Sequence, residues 1–168
     1  MPSWLPSPLD FANNYSGNWD GFLEDAYAIF EADFINGETR YQNKKVLLSD
    51  RFPDLGDGKH GSFWHVISTG DGKSEDTKVP DIKRAQVVGW IKPVLENCPD
   101  SELLEWEEVR SNARRRNDTR VVIWYKSLDF VIILRKLDYV YILITAHTVD
   151  YKSTRKKLQK GYDKAQLP

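Results

Sequence analysis

Residues 120–150 read RVVIWYKSLDFVIILRKLDYVYILITAHTVD, and the reading of this stretch decides the fold. Three β-branched and aromatic runs, 120–125, 129–135 and 139–146, are separated by the short polar connections Lys126-Ser127-Leu128 and Lys136-Leu137-Asp138. Runs of that length with hairpin-sized gaps predict an antiparallel meander. The middle run, Phe130-Val131-Ile132-Ile133-Leu134, is apolar at every position, so that strand is expected inside the sheet with packing on both faces. The last run ends Thr145-Ala146-His147-Thr148. Polar groups and an imidazole replace the apolar pattern there, which marks that end of the meander as the place to look for a site.

The chain outside the meander supplies what packs on it. Trp19, Phe22, Leu23, Ala26, Tyr27, Phe30 and Phe34 recur at helical spacing behind Asn18, a capping residue, and Asn36-Gly37 is expected to end the helix with a left-handed residue. Before it, residues 1–15 hold three prolines and predict an arm lying over the body. Residues 39–49 alternate and then become apolar, a strand, and 51–61 are turn residues. Residues 62–68 read as a second strand, with Phe63, His65 and Ile67 on one side, followed by a long glycine-and-charge loop over 69–78 that is expected to be mobile. Pro80-Asp81 opens a second helix with Ile82, Ala85, Val88, Trp90, Ile91, Val94 and Leu95 as its apolar side, kinked or ended at Pro93. Residues 103–109 admit a short strand with Leu104, Trp106 and Glu108 on one side. Ser153 or Thr154 is expected to cap a last helix dense in Lys and Arg. The order predicts an α+β fold: an N-terminal helix, a central antiparallel sheet of about four to six strands, a second helix packed on it and a C-terminal basic helix. At 168 residues this is one globular domain by size, 1–168.

Composition removes several classes. A single cysteine, Cys98, allows neither an internal disulfide nor a paired-thiolate metal site. The N-terminal residues lack the basic and apolar regions of a signal peptide, and no run approaches the apolar length of a membrane span, so a cytoplasmic protein is expected. HExxH and related histidine spacings, GxSxG, GxxxxGK[ST] and GxGxxG are all missing, so no metal and no cofactor is expected. The net charge of −1 hides an asymmetry: residues 1–108 carry 10 Lys/Arg against 20 Asp/Glu, and residues 109–168 carry 14 against 5. A basic second half suits a polyanion, although the two halves could also neutralise one another.

What remains is a metal-free acid–base set. An imidazole ordinarily titrates near neutral pH, so His65 and His147 are candidates to take and return a proton, with Thr145 beside His147 on one strand face. Lys83 and Arg84 open the second helix, where Arg offers a planar fork and Lys a point charge to a phosphate. RNA cleavage needs such parts: a base for the 2′-hydroxyl, an acid for the 5′-oxygen and cations for the phosphorane. Arg114, Arg115 and Arg116, three adjacent like charges, with Arg120 in the same basic loop and Lys156 on the last helix, are candidate RNA contacts. Trp124, Tyr125, Tyr139 and Tyr141 are candidate stacking surfaces. The same histidines could be core residues, the helix cations a solvated face, and the aromatic strands core.

Phe63-Trp64-His65-Val66-Ile67-Ser68, Pro80-Asp81-Ile82-Lys83-Arg84 with Gly89-Trp90-Ile91, and Ile142-Leu143-Ile144-Thr145-Ala146, in a helix-first, sheet-later order, resemble the barnase–EndoU–colicin–RelE (BECR) class of ribonucleases. The likeness is to a small phage- and prophage-associated branch and spans residues 19–162. It implies a metal-independent endoribonuclease leaving 2′,3′-cyclic phosphate ends, a toxin, defence or phage effector acting on RNA such as tRNA and held by an antitoxin or immunity protein. It further implies His65 as general base or acid, Lys83 and Arg84 on the phosphate, and Thr145 with His147 completing the site. The alternative of a different class is a non-catalytic nucleic-acid-binding or partner-regulating protein of a mobile element.

Overall fold

In the computed structural model, residues 1–52, 54–70, 78–111 and 117–168 are described. The meander forms as β6 (Asp118–Tyr125), β7 (Phe130–Lys136) and β8 (Val140–Thr148), each antiparallel to the next. β5 (Leu103–Arg110) adds to β6 at one edge. At the other, the hairpin β1 (Arg40–Tyr41) and β2 (Lys44–Leu48) turns through Gln42 and Asn43, both left-handed, as a two-residue hairpin requires. The sheet order is β1-β2-β8-β7-β6-β5. The α+β arrangement follows the expectation, with one departure: β2 lies parallel to β8, so the sheet is mixed. Tyr41 Oη on β1 donates to Glu105 Oε1 on β5 (2.5 Å), tying the two outer strands together across the curl of the sheet.

β7 is packed on both faces, as its composition requires. Phe130, Ile132 and Leu134 join Val121, Ile123, Tyr125, Tyr141, Leu143 and Ala146 in the main core. That face is covered by α2 (Trp19–Phe34), α3 (Gly61–Ile67), α4 (Ile82–Gln86) and α5 (Ile91–Glu96). Phe22, Phe30 and Phe63 are wholly buried there, each contributing about 1.5–3 kcal/mol of apolar transfer. The opposite face carries a smaller core of Trp106, Val122, Trp124 and Val131. Leu158 and Tyr162 of α6 (Lys152–Ala165) close it. Leu104, Trp106 and Glu108 share this face, as their spacing predicts, and Trp106 Nε1 donates to Glu108 Oε1 (2.9 Å). The N-terminal arm lies over the body as expected: Leu5 is buried, Pro6 accepts from Trp90 Nε1 (2.9 Å), and α1 (Phe11–Asn14) follows.

Several local readings are corrected. Residues 62–68 are not a strand: α3 occupies Gly61–Ile67, capped by His60, whose Nδ1 accepts from the Ser62 N–H (3.0 Å). Phe63, Val66 and Ile67 are buried at i, i+3, i+4, and in so short a run the helical and strand periods compete. Gly37 is not left-handed; it is required because a Cβ there would collide with the Ala32 carbonyl oxygen. Pro80 lies in a short strand, β4 (Val79–Pro80), paired with β3 (Ser68–Thr69), and Asp81 caps α4 instead. The second helix breaks before Pro93, at a 3-10 turn over Val88–Trp90. Pro93 then sits in the first turn of α5, where its missing N–H costs no helical bond. Tyr151, not Ser153 or Thr154, stands at the N-cap of α6. Most of the loop expected to be mobile, 71–77, lies outside the described residues, as does 112–116. No helix among the described residues is long and apolar enough to cross a membrane.

Candidate active site

The end of β8 is built differently from its start. β2 pairs with β8 only as far as Leu48 opposite Leu143, and α3 and α4 also contact β8. A bulge falls there too: Ile133 faces Thr145 while Leu134 faces Leu143, leaving Ile144 without an opposite residue. Because side chains alternate along a strand, one extra residue exchanges the two faces. Ala146 takes over the main-core face, and Thr145 and His147 turn to the other, opposite Ile133 and Val131. The pairing of Thr145 and His147 on one face agrees with the sequence reading.

Three of the five predicted catalytic residues converge on this end. The His147 Nδ1 lies 2.7 Å from the Thr148 carbonyl oxygen. A carbonyl only accepts, so Nδ1 carries the proton and Nε2 of the neutral ring holds the lone pair. Burial holds the His147 imidazole below its ordinary range, and the nearby Arg84 guanidinium and His65 imidazole lower it further against the opposing Thr148 and Asp150. His65 on α3 is stacked on Phe52 (ring centroids 3.7 Å, 14° between planes). Its Nδ1 lies 2.9 Å from Lys78 Nζ. An ammonium only donates, so this bond places the His65 proton on Nε2. The two imidazoles therefore carry opposite tautomers when neutral.

Arg84 supplies the cation. Its Nη1 donates to the Ser68 carbonyl (3.0 Å), while its buried Nε has no hydrogen-bond partner. No carboxylate among the described residues lies within ion-pair distance of it; Asp81, Asp150 and Tyr151 act only through space, and burial pulls the guanidinium below its ordinary range. Asp81 is occupied in capping, accepting from the Arg84 N–H (3.2 Å).

Lys83 is exposed on α4 and makes no side-chain bond among the described residues. Thr145 is half-buried and likewise unbonded, so neither is tied into the cluster. Of the expected RNA contacts, Arg114, Arg115 and Arg116 lie outside the described residues. Arg120 is engaged within the fold: its Nε is ion-paired with buried Asp118 (3.1 Å), which also binds Arg135 Nε (3.0 Å). The stacking surface is corrected. Trp124 is 0 % and Tyr125 3 % exposed, and Tyr141 is buried, because strands packed on both faces have no outward ring to offer. Tyr139 is exposed, and so is Lys156 on α6. Sequence reasoning missed Lys78, which the β3–β4 pairing returns to His65, and Phe52; neither carries a periodicity or motif that links it to the histidine. No three His, Cys, Asp or Glu side chains among the described residues are grouped to hold a metal ion. Comparison with protein families, curated proteins and solved structures yields no match to this chain.

Proposed function

We propose that the chain is an endoribonuclease of the BECR kind that works without a metal, cutting RNA by attack of its own 2′-hydroxyl. The observation that carries this reading is the Arg84 guanidinium, desolvated and without a carboxylate partner among the described residues, beside two imidazoles of opposite tautomer. A buried cation left without an anion is costly, and a phosphodiester is an anion whose oxygens suit the guanidinium fork.

In this reading His147 Nε2 takes the proton of the 2′-hydroxyl as the 2′-oxygen bonds to phosphorus. Arg84 holds the phosphate oxygens while charge builds on the phosphorane. The bond from phosphorus to the 5′-oxygen then breaks, and His65 gives that oxygen its Nε2 proton while Lys78 supplies a proton to Nδ1, so that no imidazolate forms. The products are a 2′,3′-cyclic phosphate and a 5′-hydroxyl. Lys83 adds a second positive charge at the approach, and Thr145 lines the His147 side. A toxin, defence or phage effector with an antitoxin or immunity partner is the biological setting this chemistry suits. The test is incubation of total RNA and of tRNA with the protein, with and without EDTA, and end-group analysis of the fragments. Cyclic phosphate ends in both conditions are expected; intact RNA, or cleavage only with a divalent ion, overturns the reading.

One observation favours a second reading, a non-catalytic nucleic-acid binder. His65 is stacked and hydrogen-bonded as a structural histidine would be, and exposed lysines on α6 need no chemistry to hold a polyanion. RNA binding that survives loss of both histidines, with no cleavage by the unchanged protein, would decide for it.

A further inference from the structure

α6 is covered on one side only. Leu158 and Tyr162 sit on the second core, and Gly161 is pressed so closely that a Cβ there would lie 2.7 Å from Glu108 Oε1. On the opposite side Lys152, Lys156, Lys160 and Lys164 follow one another every fourth residue, with Lys157 beside them, and all five are exposed. At 3.6 residues per turn each step of four rotates by about 40°, so the row drifts slowly across the solvent face. With 1.5 Å rise per residue it extends about 18 Å. None of the five ammonium groups has a hydrogen bond or ion pair among the described residues. The other cations of this region are already engaged: Arg155 with Asp129, and Lys126 with Gln159 (2.7 Å). Asp163, the helix's own acid, accepts from Gln159 Nε2 (2.9 Å).

The row starts at the candidate site. Lys152 is five residues beyond His147, and the residues between include Asp150, whose carboxylate is close enough to act on the Arg84 guanidinium. We infer that the α6 lysine row is a track for the phosphate backbone of single-stranded RNA, leading away from the His65–Arg84–His147 cluster and holding about four phosphates outside it. The inference rests on the ribonuclease reading for the identity of the strand, and names how that strand lies. A basic helix could also meet an anionic membrane surface, but membrane helices insert an apolar face, and that of α6 is spent on the sheet. A single strand is favoured over a duplex because in-line attack by a 2′-oxygen needs a sugar free to rotate.

The test uses the full chain and a variant with Lys152→Gln, Lys156→Gln, Lys160→Gln and Lys164→Gln. Binding of a fluorescein-labelled 2′-O-methyl RNA oligonucleotide, which cannot be attacked by its own 2′-oxygen, is followed as salt is raised. Four lost phosphate contacts at about −0.7 each should flatten the slope of log K against log salt by about 2.8. The corresponding Lys→Arg variant should keep the parent slope, which separates charge from any lesion in the helix. An unchanged slope in the Gln variant overturns the track. So does loss of binding to phosphatidylserine vesicles while the oligonucleotide affinity stays at the parent value. Cleavage by the unchanged chain is scored separately. A flattened slope in the Gln variant with no cleavage by the parent retires the ribonuclease reading and keeps the track; cleavage by the parent with an unchanged slope in the Gln variant does the reverse.

Discussion

Replacing Asp118 by Asn decides whether Arg120 belongs to the fold or to a bound polyanion. The carboxylate is 4 % exposed and takes one charged hydrogen bond from Arg120 Nε (3.1 Å) and one from Arg135 Nε (3.0 Å). The arginine side chains are only 15 % and 10 % exposed, so water replaces little of what is lost. Charge-assisted bonds are worth about 1.5–3 kcal/mol each, and removing one partner of a buried pair costs about 3–5 kcal/mol. Asn keeps one acceptor oxygen but no charge, which places the expected loss near the lower end, about 3 kcal/mol. For a chain of this size that lowers Tm by roughly 6–12 °C. Urea and thermal melts of Asp118→Asn against the parent measure it. The pH dependence has a defined sign. Burial alone would raise the Asp118 carboxyl, but the hydrogen bonds from Arg120 and Arg135 outweigh it and hold it below the usual carboxylate range. Its contribution is therefore present above the unfolded value and disappears as pH falls through the lower folded value, so the two proteins should converge in stability in acid. A loss below about 1 kcal/mol at neutral pH would refute the structural assignment and return Arg120 to the pool of RNA contacts.

Three further outcomes follow from the proposed ribonuclease reading. His65→Ala should lower the cleavage rate by about 10²–10⁴-fold while leaving RNA affinity nearly intact, because proton transfer acts in the transition state; an unchanged rate in a folded variant removes His65 from catalysis. Arg84→Lys keeps the charge but loses the fork, and should lower kcat/KM by about 10²-fold with the fold retained by circular dichroism; parent kinetics would show that the guanidinium is not on the phosphate. His147 must be neutral to act as a base and is held below its ordinary 6.5, so cleavage should persist into mildly acid pH, and Arg84→Gln should move the acid limb upward by removing one of the groups that depress it. A limb that stays put in the Arg84→Gln variant would separate the two residues.

How much of this could be read without coordinates depended on segment length. The meander was legible because its strands are long and β-branched between hairpin-sized gaps, and α2 because sixteen residues give several turns of aromatic periodicity. Residues 61–67 were not, because seven positions satisfy both periods and the deciding cap, His60, is an unusual one. Trp124 and Tyr125 read as binding surface for the same reason that β6 reads as strand: aromatics suit a sheet, and only the covering α6 and the arm tell that both faces are filled. His65, Arg84 and His147 were singled out one by one from their chemistry. Their convergence was not visible, and His65 reached the site from a helix instead of the expected strand. Lys78 is not legible in the sequence because a two-residue ladder, Ser68–Thr69 with Val79–Pro80, is what brings it back to His65.

The site is a consequence of two irregularities acting on one strand. Had β2 continued beyond Leu48, it would have covered the β8 edge from Ile144 to Thr148 with another ladder. Had β8 lacked its bulge, the alternation that buries Tyr141 and Leu143 would have carried Thr145 and His147 onto the main-core face and turned Ala146 outward. An imidazole wholly inside that apolar layer, among Phe130, Ile132 and Leu134, could neither exchange a proton with a substrate nor stay cheaply ionised. The bulge instead moves His147 to the opposite face while keeping Ala146 in the main core. Short β2 and bulged β8 thus act together: one leaves the β8 edge beyond Leu143 without a strand, and the other turns His147 out of the main core, where Arg84 and His65 are still near enough to depress its imidazole.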